Sequence, residues 1–287
     1  MQAVAKDLKV VLAPNPSALT GPGTNTYLLG QEARVVIDPG PDDPAHLQAV
    51  VQAADGRIAM ILVTHAHRDH SAGAARLSGL TGAPVLAYGG ALQGRSARMQ
   101  ALADETVGGG EGLDMDFTPD RVLADGVVID TPAGPIEALH TPGHAGSHLC
   151  FRWGKAMFCG DIVLGWTSTL ISPPDGDLLD YLRSMARIAR AGSEILHPGH
   201  GAPITAPTAR IAELLAHRRQ RTAQILSALH ASPDSAAGLA RRLYDVPPAL
   251  MVAAERNVLA HLIALHDIGA IDCKGELSSS SRFAPAR

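Results

Sequence analysis

The chain has 287 residues, of which 46% are hydrophobic, and a formal net charge of −4 with a sequence pI near 6.3. This length and apolar content exclude general disorder and allow one large domain, or a domain with an appendage, each with its own core. The acidic balance excludes a global basic field that would gather nucleic acid by itself. Residues 211–287 are nevertheless mildly basic, with nine Lys and Arg against seven Asp and Glu, which leaves 15 against 21 for residues 1–210.

Cysteine usage and the first residues bear on the compartment. Cys150, Cys159 and Cys273 are an odd number at spacings that suit neither a disulfide framework nor a zinc knuckle, which favours reduced thiols in a cytoplasm. The first ten residues, MQAVAKDLKV, carry charges where an export signal needs an apolar run, and no later run approaches membrane-spanning length. We therefore expect a cytoplasmic protein without membrane contact.

In chain order, the first half alternates strands and helices. Short apolar runs predict strands, and these lie at residues 27–29, 34–37, 58–63 and 84–88. Helical spacing over residues 44–53 and a run of small residues near 72–79 predict two helices between them. The segment 91–118 is rich in glycine and charge, which predicts an irregular loop.

From residue 121 the pattern changes to short strands joined by tight turns, which predicts an antiparallel arrangement. These predicted strands cover residues 121–123, 127–130, 135–139, 149–153 and 156–159. Helical spacing returns at 177–191 and 207–231, with a short strand at 194–196 between them. Two stretches that each combine strands and helices predict a layered α/β sandwich, with two sheets face to face and helices outside.

The stretch ILVTHAHRDH, residues 61–70, ends an apolar strand in three histidines and an aspartate within six residues. A strand that delivers polar residues into a loop is a usual way for a scaffold to present a reactive site. Imidazole nitrogens and a carboxylate oxygen suit Zn²⁺, and also Fe or Mn. His65 and His67 can reach one ion together, and Asp69 and His70 can reach a second. The alternative is a solvated loop that is rich in histidine by chance.

Three further strand ends supply the same residue types. His144 lies in HTPGH directly after the strand that ends at Leu139, Asp161 ends an apolar run, and His200 lies in HPGHG after the strand at 194–196. Neighbouring glycines let the backbone turn sharply and bring these side chains in closely. The sequence therefore predicts a metal site built from four strand ends.

These motifs resemble those of the metallo-β-lactamase superfamily over about residues 20–205, and the fold of that family is the αββα sandwich. The resemblance implies a two-metal site, with zinc as the default and Mn or Fe as alternatives. It implies that the first ion is held by His65, His67 and His144, the second by Asp69, His70 and His200, and that Asp161 bridges both.

The expected activity is hydrolysis. Two such cations hold a bridging hydroxide at neutral pH and polarise the bond under attack, so no serine or cysteine nucleophile is required. Asp69 is the candidate catalytic group, because it can bind a metal and also orient the hydroxide. His148 and His197 are near the site in sequence, and we expect them either to support the ligands or to contact substrate, with a purely structural role as an equal alternative.

Three further stretches resemble the branch that contains β-lactamase-like protein 2, a mitochondrial single-strand RNA endonuclease: residues 21–27, residues 165–168 with 173–182, and the basic helix at 217–221. Members of that branch carry a small C-terminal winged-helix-like domain. Residues 232–287 match one in their predicted order, which is helix 235–244, a Pro247-Pro248 break, helix 249–266, strand 270–273 and a turn at 274–275. We therefore predict a catalytic domain over residues 1–210, and a linker helix with the winged-helix-like domain over residues 211–287.

Two substrate classes stay open. For single-stranded RNA, the metals would bind the scissile phosphate and the basic tail would hold the backbone. The arginines of that tail are Arg218, Arg219, Arg221, Arg241 and Arg242, and a solvated helix face is an equal alternative for them. Only 3% of residues are aromatic, which leaves few platforms for stacked bases. The second class is small thioesters or esters, because glyoxalase II, a hydroxyacylglutathione hydrolase, has the same THxHxDH and HTPGH signatures.

Two other functions are less favoured. A β-lactamase would need an export signal to meet a periplasmic drug. A non-enzymatic binding module could use the winged-helix-like tail and keep the metal as a structural element. Structural zinc sites are normally closed by four ligands, whereas seven positions shared by two ions leave room for water and substrate, so catalysis is favoured. Homo-oligomer formation stays open.

Overall fold

The computed structural model describes residues 7–103 and 107–286, and within them the strands form three sheets. The first sheet has six strands, whose order in the sheet is the same as their order in the chain: β1 (Leu8–Leu12), β2 (Asn25–Leu29), β3 (Arg34–Ile37), β4 (Ile58–Leu62), β5 (Val85–Ala87) and β6 (Arg121–Val122). The second sheet has five strands, which also lie side by side in the order of the chain: β7 (Val128–Ile129), β8 (Ile136–His140), β9 (Leu149–Trp153), β10 (Ala156–Gly160) and β11 (Ile195–Pro198).

Helices connect the parallel part of the first sheet. Strands β1 to β3 pair antiparallel, whereas β3 to β6 pair parallel. Each parallel step needs a crossover, and the crossovers carry α1 (Pro44–Ala53), α2 (Arg68–Ser71) with α3 (Ala74–Thr81), and α4 (Ala97–Ala103). The parallel pairing brings the carboxyl ends of β3 and β4 to one edge of the sheet.

The second sheet is antiparallel from β7 to β10, as predicted, and ends in a parallel pair of β10 with β11. Helix α5 (Leu178–Ala191) makes the crossover for that last pair, and α6 (Pro207–Ala231) follows β11. Helix α5 begins where the Asp177 carboxylate accepts hydrogen bonds from the amides of Leu179 (2.8 Å) and Asp180 (3.3 Å), a standard cap for the first turn.

The two sheets pack face to face through side chains that alternate along their strands. Tyr27 and Leu29 of β2 share one buried cluster with Phe151 of β9 and Phe158 of β10, between the sheets. Leu28, which lies between Tyr27 and Leu29, faces the opposite way into a cluster with α1 and α3. An equivalent cluster joins the outer face of the second sheet to α5 and α6. The predicted αββα sandwich is therefore confirmed.

The C-terminal region is mostly helical. It contains α7 (Ala236–Leu243), a 3₁₀ turn (Pro248–Leu250), α8 (Met251–Asp267) and a small antiparallel sheet of β12 (Asp234–Ser235), β14 (Arg282–Pro285) and β13 (Ile271–Cys273). Its buried cluster includes Leu239, Leu262 and Phe283. The winged-helix assignment and the boundary at residue 210 stay predictions.

Segment 91–118 was expected to be an irregular loop, but it contains α4. Met99 and Leu102 of α4 are buried in the C-terminal cluster, so packing against a distant part of the chain stabilises a helix that the local composition does not favour. Residues 104–106 of this segment lie outside the described residues. Strand β1 was not predicted either, since it is a mostly exposed edge strand that carries Lys9.

One helical stretch, Pro248–Asp267, is long and apolar enough to cross a membrane by length and composition, with a mean hydropathy of 1.3. The expectation that no later run approaches this length was therefore wrong on those two criteria. In the structure 56% of the most apolar window is buried in the protein. Ala260 and Ala264 pack beneath the second sheet and Leu262 packs in the C-terminal cluster, which is the environment of a core helix.

His261 of α8 should make stability depend on pH. Its ring is fully buried and its Nδ1 lies 2.9 Å from the Thr222 hydroxyl oxygen. Burial first, and then the nearby arginines 218 and 221, lowers the pKa of His261 to about 3. Because the unfolded chain takes up this proton near pH 6.5 and the folded chain does not, stability falls as pH drops below 6.5, by about 1.4 kcal/mol per pH unit.

We expect the free energy of unfolding to fall less between pH 7 and pH 5 in His261→Gln than in the parent chain, by about 2 kcal/mol. The glutamine amide can still form a hydrogen bond with Thr222. Urea unfolding at both pH values, with a chelator present, measures this difference. His230→Gln is the matched control, because His230 is exposed on α6. Equal pH slopes for the parent and His261→Gln would contradict the assignment.

Candidate metal centre and active site

The seven candidate ligands come together at one end of the sandwich. His65, His67, Asp69 and His70 follow β4, and the other three follow β8, β10 and β11. Their ligand atoms form three overlapping groups, each with all atoms within 4.8 Å of one another: His65, His67 and His144; His65, His70 and Asp161; and Asp69, His70 and His200. The sequence prediction that four strand ends meet is confirmed as a geometric fact, while the metal roles stay a proposal.

The first group has the spacing of a metal site. His67 Nδ1 lies 3.0 Å from His65 Nε2 and 3.0 Å from His144 Nε2. Tetrahedral ligands at about 2.0–2.1 Å from zinc would lie about 3.3–3.4 Å apart. The three nitrogens are therefore slightly closer than in a loaded zinc site, and small side-chain adjustments would admit an ion.

The second group contains two carboxylates. His200 Nε2 lies 3.2 Å from Asp69 Oδ2 and 3.2 Å from Asp161 Oδ2. His70 Nε2 lies 3.3 Å from Asp69 Oδ2. Asp161 Oδ2 also lies 3.9 Å from His144 Nε2, so this carboxylate stands between the two groups, where a bridging ligand is needed.

Two buried atoms in this cluster have no hydrogen-bond partner in the described part of the chain: His70 Nε2 and Asp161 Oδ1. Buried polar groups are normally paired, so an orphaned pair that faces one small space indicates that something else binds there. The donor set of imidazole nitrogens and carboxylate oxygens suits divalent zinc, iron or manganese. The residues thus fit the two-metal site that the sequence predicted.

Three of the histidine rings are fixed by hydrogen bonds at Nδ1, on the side of the ring that faces away from the centre. His144 Nδ1 lies 2.8 Å from the Leu170 carbonyl and His200 Nδ1 lies 3.1 Å from the Gly23 carbonyl. His70 Nδ1 lies 2.9 Å from Asp38 Oδ2. Because these oxygens can only accept, each Nδ1 must carry the proton, and each Nε2 faces the centre with a lone pair for a metal or, without one, a second proton.

Asp38 contacts the candidate ligand His70 but is not among the candidates predicted from the sequence. Its carboxylate accepts hydrogen bonds from the Thr64 amide (2.7 Å), the Thr64 hydroxyl (2.8 Å) and His70. Its φ of 53° places the backbone in the left-handed region, which aspartate tolerates better than most residues. The available signal was its place at the carboxyl end of a strand beside β4 in a parallel sheet.

The pKa values of the histidines differ between the two groups of candidate ligands. Burial, and then the neighbouring His144, lowers the pKa of His67 to about 3. Burial also opposes a charge on His200, but the carboxylates of Asp161 and Asp69 outweigh it and raise the pKa of His200 to about 9. The first group therefore offers neutral imidazoles, whereas a metal in the second group must displace protons.

The remaining histidine and cysteine candidates lie in the core. His148 is fully buried, with Nδ1 2.9 Å from the Thr141 hydroxyl and its ring centre 5.2 Å from that of His65, so it can support a ligand but not meet solvent. His197 stacks on Phe158 between the sheets, and burial lowers its pKa to about 4. Of the alternatives expected for His197, this position between the sheets favours the purely structural role. Cys159 is buried, which raises the pKa of its thiol and is typical of a core residue.

Arg218 and Arg219 separate into two roles. Arg219 is exposed on α6. Arg218 is buried, with its guanidinium donating to the Thr169 carbonyl and to Asn257 Oδ1 (3.2 Å) and lying 5.0 Å from the centre of the Tyr181 ring. The expectation of a surface contact with substrate is wrong for Arg218, because its charge holds the loop after Asp161 in place.

That loop, residues 162–172, links the centre to the C-terminal region. The Thr169 hydroxyl donates to the Asp161 carbonyl (2.8 Å), and the Ile171 amide donates to Asn257 Oδ1 of α8 (3.1 Å). Leu170, between them, supplies the carbonyl that accepts from His144. Helices α6 and α8 therefore position the candidate ligand His144 through this loop. The sequence patterns did not predict that contact.

A cavity of about 410 Å³ opens over the centre. His67, Asp69, His144, Asp161 and His200 all border it. The other lining residues come from the segment before β2, from Glu111 and Gly112 after α4, from the loop at 162–172 and from the C-terminal region. Bound molecules can thus reach the candidate ligands from solvent.

We expect Asp38→Asn to weaken metal binding by about 10- to 100-fold, because an amide NH₂ facing His70 Nδ1 would favour the tautomer with its proton on Nε2. Competition with a chromophoric zinc chelator measures this, together with the number of ions retained. Asp55→Asn is the matched control, since Asp55 has a similar φ of 52° but is exposed in the turn after α1. Equal zinc affinities for the two variants would contradict the role given to Asp38.

Comparisons with known proteins agree with this geometry. A family model described as the metallo-beta-lactamase superfamily matches residues 19–200. The chain is 34% identical over 244 residues to an atrochrysone carboxyl ACP thioesterase of Aspergillus chevalieri, covering 83% of this chain and 70% of that protein. It is 32% identical over 271 residues to a beta-lactamase-like protein 2 homolog of Drosophila melanogaster, covering 90% of this chain and 87% of that protein.

The fold has close counterparts among solved structures. A metallo-beta-lactamase family protein from Thermus thermophilus superposes with a TM-score of 0.79 at 25% identity, over 98% of this chain and 99% of that one. Its coverage extends through the C-terminal region as well as the sandwich. From the family match, the two relatives and the seven assembled side chains, the chain belongs to the metallo-beta-lactamase superfamily, as one of its metal-dependent hydrolases.

Proposed function

We propose that this hydrolase cleaves thioesters or related small esters. The observation that carries the proposal is the make-up of the cavity over the candidate centre: no lysine or arginine borders it among the described residues, whereas aspartate, glutamate and apolar side chains do. A polyanionic substrate would need cations along its path. An uncharged acyl group needs none.

In this proposal the seven side chains hold two divalent ions, with zinc as the default and manganese or iron as alternatives. Such a pair supplies a water of lowered pKa and polarises the bond under attack. The ligands are His65, His67 and His144 for one ion, and Asp69, His70 and His200 for the other, with Asp161 shared.

Asp69 is the protein group best placed to handle a proton. Its side chain borders the cavity and is 27% exposed, which is more than the side chains of His70, His144, Asp161 and His200. Burial disfavours its charge, but His70 and His200 outweigh burial and hold the pKa of this carboxyl well below its usual range. The Thr24 hydroxyl donates to Asp69 Oδ2 at 3.4 Å, which helps to fix the orientation of the carboxylate. An ionised, oriented carboxylate can accept a hydrogen bond from the attacking water.

The thiols support a reducing compartment, and we place the reaction in the cytoplasm. Cys150, Cys159 and Cys273 are free. Burial raises the pKa of Cys150 to about 12, so this thiol stays protonated and does not compete as a nucleophile or ligand.

Single-strand RNA cleavage is the second candidate. It is favoured by the match to the beta-lactamase-like protein 2 homolog, which covers 90% of this chain. Against it, none of the five tail arginines borders the cavity. Arg221 lies over the Tyr244 ring and Arg242 pairs with Asp234, whereas Arg219 and Arg241 are exposed.

An assay of metal-analysed protein against a thioester panel and against single-stranded RNA separates the two candidates. We expect thioester turnover without RNA cleavage, and His65→Ala should reduce that turnover more than about a hundredfold, because it removes a ligand instead of an outer contact. His230→Gln serves as the control with an unchanged site. RNA cleavage that is lost in His65→Ala and weakens steeply with salt would favour the second candidate, and inactivity on both substrates would refute the two proposals.

A further inference from the structure

One wall of the cavity comes from the C-terminal region and is apolar. It is formed by Tyr244 and Val246 after α7, Leu250 of the 3₁₀ turn, and Ala253 with Ala254 of α8, with His217 and Asn257 as polar residues at its side. Leu19, Leu164 and Leu170 border the same cavity from the catalytic sandwich. Any group that reacts at the candidate centre must therefore lie beside two hydrophobic surfaces.

A second cavity of about 180 Å³ continues this environment. It also borders His67 and His144, and it shares Leu19, Leu170 and Ala253 with the first. Val252, which is 63% exposed, lines only the smaller one, and Leu19 is 53% exposed. Exposed large apolar side chains next to a reactive centre indicate a surface that is covered when substrate binds.

Charge in the larger cavity disfavours an anionic acyl chain. Glu111 borders both cavities, and Asp175, which pairs with Arg95, borders the smaller one. The smaller cavity also meets Arg256, whose guanidinium donates to the Val107 carbonyl (2.6 Å) and to the Ser172 hydroxyl (2.8 Å). Away from the candidate metal ligands, a carboxylate or phosphate in the larger cavity would therefore meet Glu111 and no lysine or arginine among the described lining residues.

The apolar wall is held in place before substrate arrives. The Arg221 guanidinium lies 3.9 Å from the centre of the Tyr244 ring and donates to the Leu243 carbonyl at 2.9 Å. On α8, Asn257 binds the Ile171 amide one turn after Ala253. Because a fixed wall costs little entropy to order on binding, it can discriminate between groups of different length.

From these observations we infer that the acyl group of the substrate is an uncharged aliphatic chain that lies between Leu19 and the C-terminal wall, and that Leu250 and Ala253 limit its length. This inference rests on the proposed ester hydrolysis and specifies its substrate. The leaving group stays toward solvent, and the carbonyl lies at the candidate centre. Each methylene buried in the cavity should raise kcat/KM about fourfold, from the roughly 0.8 kcal/mol that burial of one CH₂ contributes.

The test measures kcat/KM of the metal-loaded full chain on acetyl, butyryl, hexanoyl and octanoyl thioesters of N-acetylcysteamine. This leaving group carries no charge. We expect kcat/KM to rise along the series until the cavity is filled. Ala253→Phe should lower the octanoyl-to-acetyl ratio of kcat/KM at least tenfold, because the ring occupies the space of the distal methylenes. Ile268→Phe is the control, since Ile268 is 68% exposed beyond the end of α8 and borders neither cavity.

A binding measurement keeps the inference separate from catalysis. S-octyl and S-ethyl thioethers of N-acetylcysteamine cannot be hydrolysed, and calorimetry with metal-free protein should show the octyl compound binding at least tenfold more tightly, a difference that Ala253→Phe removes. Hydrolysis of all four thioesters at equal kcat/KM, with no effect of Ala253→Phe, would overturn the inference and leave ester hydrolysis standing. Octyl binding without hydrolysis of any thioester would instead uphold the apolar site and refute the proposed reaction.

Discussion

The carboxylate of Asp38 is the contact on which the arrangement of the centre depends. It joins the end of β3 to Thr64 at the end of β4 and to His70 in α2, so three segments are set by one side chain. A buried carboxylate is unfavourable unless its oxygens accept hydrogen bonds, and here three donors satisfy it. The parallel pairing of β3 with β4 makes this contact available, because it brings both strand ends to the same edge.

Backbone carbonyls orient two other histidines of the centre in a similar way. Gly23, before β2, accepts from His200, and Leu170, in the loop that α6 and α8 hold, accepts from His144. Space is limited as well: a Cβ at Gly199 would lie 2.4 Å from Asp161 Oδ1 and 2.6 Å from His70 Cε1. Glycine at position 199 therefore allows the chain after β11 to approach Asp161 and His70 closely.

The sequence predicts those parts of the molecule whose signals are local. The apolar runs and tight turns of the sandwich lie within a few residues of each other, and the ligand types stand directly after them, so both could be read with nearly correct bounds. Asp38, α4 and the burial of Arg218 depend on contacts between residues more than 25 positions apart. The same limit explains His197, which lies in β11 three residues before the candidate ligand His200 but faces the space between the sheets.

The C-terminal region joins two functions on one helical surface. Ala253 and Asn257 are four residues apart on α8, so they lie on the same face. Ala253 borders both cavities, while Asn257 binds the loop whose Leu170 carbonyl accepts from His144. A change in the packing of α8 would therefore alter the shape of the cavity and the orientation of a candidate ligand together. The shape of the cavity and the support of His144 are therefore physically coupled in this chain, and the sandwich alone, without α6 and α8, would lack both the wall and the support of that loop.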